Sequence, residues 1–65
     1  MMNDPLKEGD KLRRITDSVI WTKGNVYEVV YAWDGHLSGV VRVSDDHCYG
    51  TIVMPENLSN WEKVL

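Results

Sequence analysis

Val26-Tyr27-Glu28-Val29-Val30-Tyr31-Ala32-Trp33 is the stretch on which the fold turns. Apart from Glu28 and Ala32 it is wholly β-branched or aromatic, the residue types that fit a pleated surface. It therefore predicts a strand. Period two places Tyr27, Val29, Tyr31 and Trp33 on one face, and Val26, Glu28, Val30 and Ala32 on the other. Lys23-Gly24-Asn25 before it is a turn signal, because Gly and Asn tolerate positive φ, and Asp34-Gly35 ends it.

Working outward, Val40-Val41-Arg42-Val43 predicts the next strand, with Val41 and Val43 opposite Arg42. Asp45-Asp46 then turns the chain into His47-Cys48-Tyr49-Gly50-Thr51-Ile52-Val53, in which Gly50 marks a bulge or bend. Met54 to Leu58 is too short for an α-helix and suits one 3₁₀ turn opened by Pro55, after which Trp61 to Leu65 forms the last strand. On the other side, Lys11 to Thr16 alternates imperfectly and predicts the first strand. Asp17-Ser18 breaks it, and Val19 to Thr22 continues as an irregular loop. Residues 1–8 form a flexible lead-in and 9–65 a single domain.

The chain has 65 residues. Surface scaling lets a chain of that size bury about 60% of its surface, so loops must be short and most apolar side chains must be used inside. A two-domain enzyme, a Rossmann unit and a buried cofactor do not fit; no cofactor is expected. Seven Lys and Arg stand against ten Asp and Glu, a net charge of −3. A protein that neutralises phosphates normally carries a basic excess, so nucleic acid is a disfavoured partner. Cys48 is the single cysteine and cannot form an internal disulfide, which points to a reducing, cytoplasmic setting. No apolar run approaches the about 18 residues of a membrane span, and no signal peptide opens the chain.

Trp21-Thr22-Lys23-Gly24-Asn25-Val26-Tyr27-Glu28-Val29 resembles the "F-x-K-G-D-x-x-x-V" entry to the second strand of SH3 domains. Gly50-Thr51-Ile52-Val53-Met54-Pro55-Glu56-Asn57-Leu58, followed by Glu62-Lys63-Val64, is similar to their "G-x-F-P-x-N-Y-V-x-x-V" ending. Over residues 9–65 the resemblance implies an all-β fold, a small five-stranded SH3-like barrel with one 3₁₀ turn before the last strand. The peptide-binding residues do not carry over. There is no "A-L-Y-D-Y" stretch, Val40-Val41 stands where a tryptophan pair is expected, and Leu58 replaces a tyrosine. Only Pro55 matches the groove floor, so PxxP binding is not expected. In size and pattern the chain also resembles small SH3-like proteins of bacteriophages, prophages and bacteria, which implies a phage or bacterial accessory protein.

For chemistry, the candidates are His36, His47, Cys48 and the adjacent acids Asp45 and Asp46. Structural zinc takes four ligands, and one cysteine and two histidines without C-x₂-C or H-x₃₋₅-H spacing do not supply them; no metal site is expected. Neighbours on a strand face opposite ways, so His47 and Cys48 do not converge, and Cys48 is expected inside as a small hydrophobe. His36 is expected on an exposed loop. A small barrel filled by its own side chains leaves no substrate cavity, so no enzyme is expected. Asp45-Asp46 reads as a hairpin turn.

The aromatics carry the functional reading. Three Trp and three Tyr with no Phe favour residues that combine an apolar body with a polar tip, as interfaces do. Tyr27 and Trp61 are expected in the core, while core and surface both stay open for Trp33. An apolar patch of Trp33, His36 and Leu37, with Trp21 as a further member, rimmed by Asp17, Asp34 and Asp46, would contact another protein. The expectation is a non-catalytic protein-interaction module that binds and modulates a host or partner protein. The rival is a nucleic-acid-associated SH3-like protein of ribosomal or transcription-factor type, contacting through Lys11, Arg13, Arg14, Lys23 and Arg42. A homodimer through an uncovered strand edge is the third reading.

Overall fold

The computed structural model describes residues 6–64. Five strands form: β1 (Lys11–Arg14), β2 (Val26–Ala32), β3 (Val41–Ser44), β4 (Gly50–Val53) and β5 (Trp61–Val64). They make one antiparallel sheet in the order β4-β3-β2-β1-β5, which is compatible with an SH3-like fold. A 3₁₀ segment, Pro55–Asn60, precedes β5 and has proline in its first turn, where the missing N–H leaves no bond unmade. A shorter 3₁₀ turn that the sequence did not predict, Gly35–Leu37, lies between β2 and β3.

β2 holds the sheet together because it serves two partners. Its first half pairs with β1, Tyr27 opposite Leu12, and its second half with β3, Val29 opposite Val43 and Ala32 opposite Val41. The register shifts between Val29 and Tyr31, a β-bulge that adds a residue and sharpens the twist. Strict alternation therefore fails at Val30. Tyr27 and Val29 are buried as expected, but Tyr31 turns outward and is 46% exposed, while Ala32 moves to the inner face and packs on the core. Of the bulge or bend expected at Gly50, the bulge is absent: Gly50 pairs with Ser44 without a register shift.

β4 and β5 end the strand order, and no ladder joins them among the described residues. Side chains bring them together instead. Val53 of β4 and Trp61 of β5 sit in one core with Leu12, Trp21, Tyr27, Val29, Val41 and Val43. Trp21 meets Trp61 edge to face at 4.9 Å, and Tyr27 meets Trp61 in the same manner at 6.1 Å. Of the expected lead-in, residues 1–5 lie outside the described residues, whereas Leu6 packs against this core and Lys7 N–H donates to the Asp10 carboxylate.

The turn between β3 and β4 corrects two expectations. β4 starts at Gly50, so His47 and Cys48 are turn residues and both are exposed. Cys48, expected inside, has φ +66°, the left-handed conformation. The cause is Asp45. Its buried carboxylate accepts from the N–H groups of His47 and Tyr49 and from the Thr51 hydroxyl, and its carbonyl accepts from Cys48 N–H. That local satisfaction competes successfully with strand pairing.

Candidate interaction surface

The outer face of β2, β3 and β4 carries the most distinctive exposed cluster. Register places Tyr31 opposite Arg42, and Arg42 opposite Ile52, so the three form one row across the strands. The Trp33 ring meets Tyr31 edge to face at 4.7 Å, and the Arg42 guanidinium lies over the same indole, 5.6 Å from its centroid. Val30, which faces outward next to buried Val29, completes a shallow depression lined by Val30, Tyr31, Trp33 and Arg42. Gly50 makes the arrangement sterically feasible. A Cβ there would lie 2.5 Å from Arg42 Cγ and 3.0 Å from Val30 Cγ2, so only glycine lets the arginine stem cross β4.

Of the residues expected at an interface, Trp33 is half-buried, and Asp34, His36 and Leu37 are exposed on the adjoining loop. That loop is held by a bond from Trp33 N–H to the Val40 carbonyl. It also presses Gly39 against Pro55, where a Cβ would approach the proline ring to 3.1 Å. Trp21 does not join them. It is 7% exposed, its indole N–H donates to the Ser44 carbonyl, and its ring belongs to the core. Asp46 is occupied in a structural role, accepting from the Tyr27 and Thr22 hydroxyls. Asp17 is exposed on the loop between β1 and β2.

The basic candidates do not form one field. Lys11 pairs with Glu28 at 2.9 Å, and Arg13 with Glu62 at 2.7 Å, both at the surface. Arg42 lies against Trp33, and Lys23 is exposed. Arg14 is buried, and its guanidinium lies 4.9 Å and 5.2 Å from the ring centroids of Trp61 and Trp21. Burial lowers its pKa from the ordinary arginine value, with the neighbouring Tyr27 acting in the opposite sense. Among the described residues no three His, Cys, Asp or Glu side chains come together as metal ligands would. No helix among them is long and apolar enough to cross a membrane.

Sequence patterning missed Tyr31 as a surface residue, because a bulge leaves no periodic signature. It set Arg42 among phosphate contacts, because nothing local reveals its indole neighbour. Comparison with protein-family models, curated proteins and solved structures finds no match for this chain.

Proposed function

We propose that the chain is an SH3-like roll acting as a non-catalytic protein-interaction module, and that it docks a partner protein on the outer face of β2, β3 and β4. One observation carries this reading: Tyr31, Trp33 and Arg42 are assembled side by side on a solvent-facing surface. Tyr, Trp and Arg are the residues in which binding energy concentrates at interfaces, since each offers large contact area and a polar end. Leu37, about half exposed, and Asp34 extend the surface along the adjoining loop. The mechanism is steric, covering or recruiting a partner surface.

No catalytic role is proposed. His36, His47 and Cys48 are all exposed, which deprives them of the water-poor setting that acid, base or nucleophile work requires. The resemblance to small phage and bacterial SH3-like proteins is what suggests an accessory role in a bacterial cytoplasm, modulating a host protein. Nucleic acid remains the disfavoured alternative: two of the five candidate cations are engaged by carboxylates and a third is buried.

The test is capture of partners by the tagged protein beside its Trp33→Ala, Arg42→Ala and Leu37→Ser variants. A partner retained by the parent and lost by the variants, with near-UV circular dichroism unchanged, supports the reading. Equal recovery by folded variants overturns it. Binding that collapses between low and physiological salt would favour phosphate contacts instead. Sedimentation would reveal a homodimer through the β4 or β5 edge.

A further inference from the structure

A second site lies at the seam where β4 approaches β5, sharing only Ile52 with the row of Tyr31, Arg42 and Ile52. Arg14 is 8% exposed and no carboxylate lies within ion-pair distance of it among the described residues. Its Nε–H donates to the Thr16 carbonyl at 2.9 Å, and its Cζ lies 5.2 Å and 4.9 Å from the ring centroids of Trp21 and Trp61, whose planes stand at 83° to each other. The two indoles offset part of the cost of burying the cation, but they are not counter-ions. Nη1 and Nη2 are left as donors.

Two further features converge there. Arg14, Trp21, Trp61, Asn57 and Asn60, with Ile52 on the β4 side, line a half-open cavity of about 220 Å³. Trp61 is 4% exposed, and its indole Nε1–H is a buried donor with no hydrogen-bond partner among the described residues. A buried N–H is normally partnered, and this orphan lies beside a guanidinium that has no carboxylate partner among the described residues.

We propose that this seam cavity binds a carboxylate on a small aliphatic body, held by the Arg14 guanidinium, with the Trp61 indole N–H and the Asn57 and Asn60 amides as further donors. Size and shape argue for that class. The cavity is smaller than the range of about 300–1,000 Å³ typical of drug-sized ligand sites, which favours a ligand of few atoms. A planar guanidinium presents its remaining donors in its own plane, where a planar carboxylate accepts two bonds at once. The Trp21 ring and Ile52 offer an apolar wall to the carbon attached to it. The carboxylate could belong to a free acid or to a partner's chain end or acidic side chain; the chemistry is the same. This site is independent of the outer-face reading and survives its failure.

The test is a titration of the full chain, labelled with ¹⁵N, at constant ionic strength, following the three tryptophan indole resonances. The probes are propionate, N-acetylalanine, N-acetylaspartate amide, phosphate, and neutral propionamide. Propionate is expected to shift the Trp61 indole signal saturably, with Kd on the order of 1–10 mM for so few atoms, while Trp33 stays put. Tighter saturation by either amino-acid derivative supports the site and names its source. Arg14→Met, which keeps a long side chain against the two rings, should weaken binding at least about tenfold. Asn57→Ala, at an exposed position, should weaken it less and tests the site if Arg14→Met does not fold. No saturable shift in the parent protein, equal shifts with propionamide, stronger binding of phosphate, or undiminished binding by folded Arg14→Met each overturn the proposal.

Discussion

The Tyr27 hydroxyl donates a hydrogen bond to the Asp46 carboxylate at 2.5 Å, tying β2 to the turn between β3 and β4. The same hydroxyl accepts from Thr22 N–H at 2.7 Å, and Thr22 Oγ1 donates to the other Asp46 oxygen at 2.9 Å. The loop before β2, β2 itself and the distant turn between β3 and β4 are thereby fixed around one buried ring. Tyr27→Phe keeps the ring packed on Trp61 but strands the Thr22 N–H and removes a charge-assisted bond. It should cost about 1–3 kcal/mol, read as a lower urea midpoint with unchanged slope. A midpoint equal to the parent would mean that solvent satisfies these groups equally well.

Asp45 gives the fold an acid-sensitive point. Its carboxyl pKa is lowered, chiefly by the Thr51 hydroxyl and with help from the Tyr49 and His47 N–H groups, against the opposing effect of burial. A carboxyl whose pKa is lower folded than unfolded stabilises the native state fully above the ordinary carboxylate range. The contribution fades as pH falls through the lowered native value. Asp45→Asn should thus melt below the parent at neutral pH, and the gap should narrow on acidification below the ordinary carboxylate range. Parallel melting curves across that range would remove Asp45 from the acid response.

Gly50 controls Arg42. Gly50→Ala would drive a methyl to 2.5 Å from Arg42 Cγ, so the arginine must leave its track across β4 and its place over Trp33. The expected cost is about 1–3 kcal/mol, as for other overpacked sites. The accompanying sign is a moved Trp33 indole resonance with the Trp21 resonance unmoved. A variant as stable as the parent with Trp33 unperturbed would show that the arginine is not held there.

Cys48 stores a small strain. At φ +66° a non-glycine residue is disfavoured, and glycine relieves the clash while adding entropy to the unfolded chain. Cys48→Gly should raise stability by about 0.5–1 kcal/mol net, measured by denaturant unfolding under reducing conditions. A loss of stability would place the Cys48 side chain in a contact that matters.

Several elements were legible from local chemistry. The β-branched run in β2, the valines of β3, the proline opening the 3₁₀ segment and the Asp45-Asp46 turn each state their conformation through neighbours within a few residues. The site was less so. Trp21 and Trp33 are the same residue type in comparably mixed surroundings, yet one is in the core and the other borders solvent. Tyr31 was assigned to the wrong face because alternation counts residues, and the bulge after Val29 inserts one.

Strand identity, approximate boundaries and an all-β architecture thus follow from the order of residues alone, since backbone preference and turn chemistry act over short distances along the chain. The outward turn of Tyr31, the seating of Arg42 on Trp33 and the burial of Arg14 against Trp21 and Trp61 were decided only by the folded whole. Each depends on which strand lies beside which, in what register, and how closely two backbones approach. Those are distances through space, and no local rule of sequence contains them.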